Sequence, residues 1–187
     1  MADRAPLLTG LGGFARACAA ALVVAACTPT PQAPKATSLP SLEVRPLDAG
    51  APRLGALVAG RPALVSLWAT WCEPCRDEIP ELARLDAYAR EHGGSVVAIA
   101  VGESADHVTR FRQGRAMPYP GYVDEDFRFA DALGERAVPA TLVVDASGRI
   151  VLRAGALDAR AASAFKAELA RSARPQVDPQ GSASSAP

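Results

Sequence analysis

The chain of 187 residues has no surplus charge: twenty basic and twenty acidic residues give a formal net charge of zero. The two signs are interspersed and no basic stripe exists, which argues against nucleic acid as a partner. Histidine is scarce, with only His92 and His107. Methionine is as scarce, Met117 being the only one besides the initiator. Soft or imidazole ligands for a metal are therefore few. Neither GxGxxG nor GxxxxGK[ST] occurs in the folded stretch, so no nucleotide-binding loop is indicated. Long apolar runs are missing too. The run Ala17 to Ala26 holds ten residues, whereas a spanning helix needs roughly 20.

That short run has meaning of another kind. Arg4 and Arg16 precede it, and it ends in Val24-Ala25-Ala26-Cys27. A basic start, a short apolar core and small residues at the end form a secretory signal. The last four residues resemble a bacterial lipobox, in which the cysteine is lipidated and becomes the mature N-terminus. An ordinary signal cleaved near Ala26 is the alternative. The expectation is a signal over residues 1–26, a lipid anchor on Cys27, and a place in the cell envelope facing the periplasm. Thr28 rather than Asp after the cysteine favours the outer over the inner membrane.

Residues 27–41 are rich in Pro, Ala and Thr and read as an extended tether. Residues 174–187 read as a disordered tail. Residues 42–173 are left for one folded domain, long enough for a core of its own.

Inside that domain, strand and helix patterns alternate. Leu42 to Leu47 is a candidate leading strand. Ala63 to Ala69 and Ser95 to Val101 are almost wholly apolar, as strands covered on both faces are. Ile79, Leu82, Ala83, Leu85 and Ala89 make a helical stripe running to about Glu91, with Pro80 expected to kink it. Helices are expected over Ser104 to Gly114 and Phe127 to Leu133, with a short strand at Tyr122-Val123 between them. Thr141 to Asp145 and Arg149 to Ala154 form a hairpin about a suitable turn. Asp158 caps a last helix reaching Ala173. This order predicts an α/β sandwich with a mixed central sheet.

Cysteine arithmetic isolates the chemistry. There are four: Cys18, Cys27, Cys72 and Cys75. Cys18 leaves with the signal and Cys27 is spent on lipid. The 72/75 pair then remains, so no further structural disulfide and no four-thiolate zinc cluster is available. The pair lies in Trp71-Cys72-Glu73-Pro74-Cys75, between an apolar strand and a helix. Free amides and the helix dipole at that junction favour thiolate, which makes Cys72 the nucleophile. Cys75, three residues on and more buried, resolves the mixed disulfide. Pro74 suits a first helical turn. Glu73 puts negative charge near the thiols and favours the reducing end of the scale. Glu78, one turn past Cys75, is a candidate proton acceptor if desolvated; a solvated helix glutamate is the alternative. Val138-Pro139 stands before an apolar strand, where a cis bond would turn the chain sharply; a simple strand-entry proline is the alternative. Half of a zinc site, a purely structural disulfide and a thiol-based copper site stay open as readings of the pair.

Together, Trp-Cys-x-x-Cys after an apolar strand, Pro80 and the later Pro-Ala-Thr resemble the thioredoxin fold. Ala69 to Pro80 (ATWCEPCRDEIP) is similar to the TlpA/ResA-like thiol-disulfide oxidoreductases that work outside the cytoplasm. The resemblance implies a three-layer thioredoxin-like sandwich. It implies Cys72 as the attacking and Cys75 as the resolving cysteine, with Glu78 as the acidic residue beside them. It also implies that Trp71, Glu73, Pro74, Val138 and Pro139 meet the substrate. Ser66 departs from cytoplasmic thioredoxins, which place a buried aspartate there, so proton handling falls to Glu78. The implied reaction is reduction of protein disulfides, with apocytochrome c or copper-site proteins as partners. A membrane thiol relay resembling DsbD or CcdA would supply electrons, and no cofactor is needed. A disulfide-forming oxidase, a peroxide-reducing enzyme on the same scaffold, a copper-binding chaperone and a purely structural lipoprotein domain are the rivals.

Overall fold

A computed structural model describes residues 35–174. The signal segment, Cys27, most of the tether and the tail from residue 175 lie outside the described residues. Twelve elements are formed: β1 Arg45–Pro46, α1 Leu54–Val58, β2 Ala63–Trp68, α2 Glu73–Asp77, α3 Ile79–Glu91, β3 Ser95–Val101, α4 Ala105–Arg112, β4 Gly121–Asp124, α5 Arg128–Leu133, β5 Ala140–Val144, β6 Ile150–Ala154 and α6 Ala159–Ser172.

The strands make one six-stranded sheet in the order β1-β4-β3-β2-β5-β6. β2, β3 and β4 run parallel to one another, while β5, β6 and β1 pair antiparallel with their neighbours. The sheet is therefore mixed, as the alternation predicts. β2 and β3 are buried along their whole length, because helices cover both faces. Leu64, Trp68, Val96 and Val143 face Leu82 and Leu85 of α3, Val108 of α4 and Phe165 and Leu169 of α6. Val65, Leu67, Val97 and Leu142 face Leu54 and Val58 of α1 and Phe129 and Leu133 of α5. Alternate side chains of each strand thus feed opposite cores. The result is a three-layer thioredoxin-like sandwich.

Three local expectations change. The leading strand is only Arg45–Pro46, paired with Tyr122 and Val123 of β4; Pro46 has no N–H to extend the ladder. α1 was not foreseen. It is five residues long and begins at Arg53 without a side-chain cap, so no start signal marks it. Pro80 lies not at a kink within one helix but just inside a second one. α2 ends and α3 begins at Glu78, and Pro80 occupies the first turn of α3, where its missing N–H is harmless.

The cap of the last helix is as expected: Asp158 accepts a hydrogen bond from the Ala161 amide at 2.7 Å. Part of the segment read as a tether is engaged with the domain. Thr37 accepts from the Ile150 amide at 2.9 Å, Leu39 donates to Gly148 at 3.1 Å, and Ser38 bridges Arg149.

Candidate active site

The central strand β2 delivers its chain to one end of the sheet, and a tight turn follows. The Cys72 amide donates to the Ala69 carbonyl at 3.1 Å, closing the turn over Thr70 and Trp71. Cys72 then caps α2, and its sulfur accepts from the Cys75 amide at 3.3 Å. Glu73 and Pro74 fill the first turn, both exposed. Cys72 and Cys75 are joined in a disulfide, with Cα atoms 5.3 Å apart. Both cysteines are buried, at 4 % and 2 % exposure. The expected contrast in burial between them is therefore slight in the oxidised pair.

Trp71 is the opposite case, at 68 % exposure. It lines one side of an apolar groove of about 260 Å³, with Leu67, Phe127, Ala130 and Val138. Val138 thus reaches the same surface as Trp71 although 67 residues separate them in sequence. The Val138–Pro139 bond is cis, and Pro139 leads directly into β5, which pairs with β2. The topology brings Trp71, the cysteines and Val138-Pro139 to one end of the sheet.

Glu78 stands at the junction of α2 and α3 and is 8 % exposed. One carboxylate oxygen accepts from the Leu157 amide at 2.8 Å. The other has no hydrogen-bond partner among the described residues. Burial raises its pKa above the ordinary glutamate range, and the Leu157 bond offsets that in part. Desolvation is the cause, because it penalises the charged form.

Sequence reasoning missed a second carboxylate. Glu103 follows β3 and turns back onto Thr70. It accepts from the Thr70 amide at 2.7 Å and from the Thr70 hydroxyl at 2.5 Å. No motif spacing flags a residue that far along the chain; the only signal is the acidic side chain next to Gly102. That glycine has φ +69°, and a Cβ there would lie 2.1 Å from the Phe127 ring. Among the described residues no group of three or more acidic, histidine or cysteine side chains is arranged to hold a metal.

A buried, helix-capping Cys-x-x-Cys disulfide beside a cis-proline, on a mixed sheet between helix layers, defines a protein of the thioredoxin superfamily. The chain belongs to the AhpC/TSA family, whose model matches residues 36–153. It is related to thiol-disulfide oxidoreductases of the ResA and DsbE type. It is 32 % identical over 92 residues to thiol-disulfide oxidoreductase ResA of Bacillus subtilis, covering 49 % of this chain and 51 % of that one. It is 34 % identical over 116 residues to thiol:disulfide interchange protein HelX of Rhodobacter capsulatus, covering 61 % and 64 %. A thioredoxin-family thiol:disulfide interchange protein from Chlorobium tepidum superposes with a TM-score of 0.62 at 26 % identity, covering 73 % of this chain and 98 % of that one. The chain spans about half the length of the first curated relatives it matches.

Proposed function

We propose that this protein is a thiol-disulfide oxidoreductase that reduces protein disulfides outside the cytoplasm. The observation that carries the reading is the Cys72–Cys75 disulfide at the start of α2. A disulfide closing so short a loop adds little stability by chain entropy, so its position at a helix N-terminus is explained by reactivity. ResA, HelX and DsbE relatives support the same chemistry.

In the working direction the pair is first reduced. The Cys72 thiolate, favoured by the helix amides, attacks one sulfur of the substrate disulfide. A Cys72–substrate disulfide forms and the other substrate sulfur leaves as thiolate. Cys75 loses its proton, and Glu78 is the acceptor we assign. The Cys75 thiolate then attacks Cys72 sulfur, which frees the second substrate thiolate and restores the Cys72–Cys75 disulfide. Two electrons pass to the substrate. Trp71, Glu73, Pro74, Val138 and Pro139 surround the point of attack and form the substrate surface in this reading.

The finer assignment rests on resemblance. Apocytochrome c or copper-site proteins are the proposed substrates, and a membrane thiol relay resembling DsbD or CcdA is the proposed electron source. A lipid on Cys27 would anchor the domain in the envelope. Among the described residues no helix is long and apolar enough to cross a membrane.

The test is the reduction potential of the pair, by equilibration with thiol buffers and trapping. A potential at or below about −220 mV, in the range of reducing thioredoxin-type proteins, is expected. A potential near about −120 mV, as in strong oxidants, replaces the reductase with a disulfide-forming oxidase.

A further inference from the structure

We infer that Glu103 is a positioning residue for the Cys72 thiolate and acts through Thr70. The inference rests on the reading of Cys72 as the attacking cysteine.

Thr70 and Trp71 are the two residues inside the turn that presents Cys72. Every polar group of Thr70 is held. Its amide and hydroxyl both donate to the Glu103 carboxylate, one to each oxygen, at 2.7 and 2.5 Å. Its carbonyl accepts from the Arg76 guanidinium of α2 at 3.5 Å. Its hydroxyl oxygen lies 3.0 Å from His107 Nε2 of α4. Because the hydroxyl proton is committed to Glu103, the ring N–H is the donor there. Thr70 is buried, and the Glu103 side chain is 8 % exposed. Hydrogen bonds to an ionised carboxylate are roughly twice as strong as neutral ones.

Glu103 is itself held from behind. The Gly102 amide donates to the Asp124 carbonyl at 2.9 Å, and the Phe127 ring covers the face of Gly102. A continuous line of contacts therefore runs from the β4–α5 loop through Gly102, Glu103 and Thr70 to Cys72. The thiolate gains from the helix amides only while its sulfur points at them, as it now does toward the Cys75 amide. The backbone just before it sets that direction, and Glu103 sets the backbone. The carboxylate also carries a negative charge that opposes a nearby thiolate. Clamp and charge therefore act in opposite senses, and a variant that keeps one without the other separates them.

The experiment follows iodoacetamide alkylation of Cys72 in the reduced full chain against pH, resolved by peptide mass spectrometry so that the other cysteines do not contribute. Each variant is measured well below its thermal midpoint. Glu103→Ala, which leaves the Thr70 donors unpaired, is expected to slow Cys72 about tenfold at neutral pH and to move the alkylation midpoint to higher pH. Glu103→Gln, which still accepts from the Thr70 amide, is expected to stay within about threefold of the wild type. Thr70→Val keeps the amide bond and loses the hydroxyl; an intermediate slowing is expected, and it decides the matter should Glu103→Ala not fold. Equal slowing in Gln and Ala, no slowing in Ala, or an unchanged Thr70→Val overturns the inference. If wild-type Cys72 is not alkylated faster than Cys75, the reading of Cys72 as nucleophile falls as well. If it is faster and the variants are silent, the positioning role alone falls.

Discussion

Two carboxylates lie to either side of the cysteines, Glu78 buried and Glu103 half-buried, and they are treated in opposite ways. Glu103 has both oxygens bonded to Thr70, and one of them also lies 3.5 Å from His107 Nε2. Glu78 has one oxygen bonded to the Leu157 amide and one without a partner. A fully bonded carboxylate is held in place, whereas in an under-bonded one desolvation favours the protonated form. In the roles proposed above, the same side chain serves geometry on the strand side of the turn and proton exchange on the helix side. The neighbours decide which.

The strongest way to break this contrast is to remove what both carboxylates serve. Cys72→Ser is expected to lower disulfide reduction by at least about a hundredfold, because the hydroxyl is not ionised near neutral pH. Cys75→Ser should instead trap a Cys72–substrate disulfide, visible as a mass adduct. If Cys72→Ser keeps its activity, neither glutamate has the role given to it.

Next comes Glu78→Gln, read by unfolding in urea at several pH values. The folded-state pKa of Glu78 is raised above its usual 4.5. The stability contributed by its protonated form is therefore fully present below about that pH and is lost as pH rises through the higher folded value. The Gln variant should lose less stability than the wild type across that window, and it should resolve mixed disulfides more slowly. Parallel stability curves for the two proteins would remove Glu78 from the proton-exchange side of the comparison.

Asp86 of α3 shows a shift in the same direction. Burial raises its pKa, and Arg90, at 3.3 Å, pulls it back. Asp86→Asn is expected to flatten the pH dependence of stability in the same direction without touching the rate of disulfide exchange. A change in that rate would extend the reactive region along α3.

The smallest effect belongs to Glu73, which is exposed at the helix start. Glu73→Gln should raise the reduction potential by no more than about 10 mV, the equivalent of roughly 0.5 kcal/mol for an exposed charge. A larger shift would mean that bulk charge, rather than hydrogen bonding, distinguishes Glu78 from Glu103.

The sequence shows one of these carboxylates and hides the other. Glu78 is visible because it lies three residues past Cys75, and local spacing can be read directly. Glu103 meets Thr70 only after β2 and β3 pair in parallel, with Trp68 beside Ala100. No local pattern encodes that register. The same division holds for the fold. Ser95 to Val101 reads as a strand because every residue fits a buried ladder. Leu54–Val58 does not read as a helix because it has neither length nor cap. Glu78 as the place where one helix yields to the next was also hidden. Pro80 announces a disturbance, but whether the axis bends or restarts depends on how α3 packs on the sheet.

The margins of the sheet have a consequence of their own. One outer strand, Arg45–Pro46, is two residues long and ends in proline. The other, β6, has its beginning occupied by residues 37–39 of the same chain. Lys35 and Arg153 both bind Glu135 there, which pins that incoming segment to the domain. Open margins are where sheets recruit foreign strands and aggregate. In the proposed reading the domain meets disulfide-bearing polypeptides, and an extended polypeptide is itself such a strand. Short and covered margins let it touch them through sulfur and side chains without adding them to its own sheet.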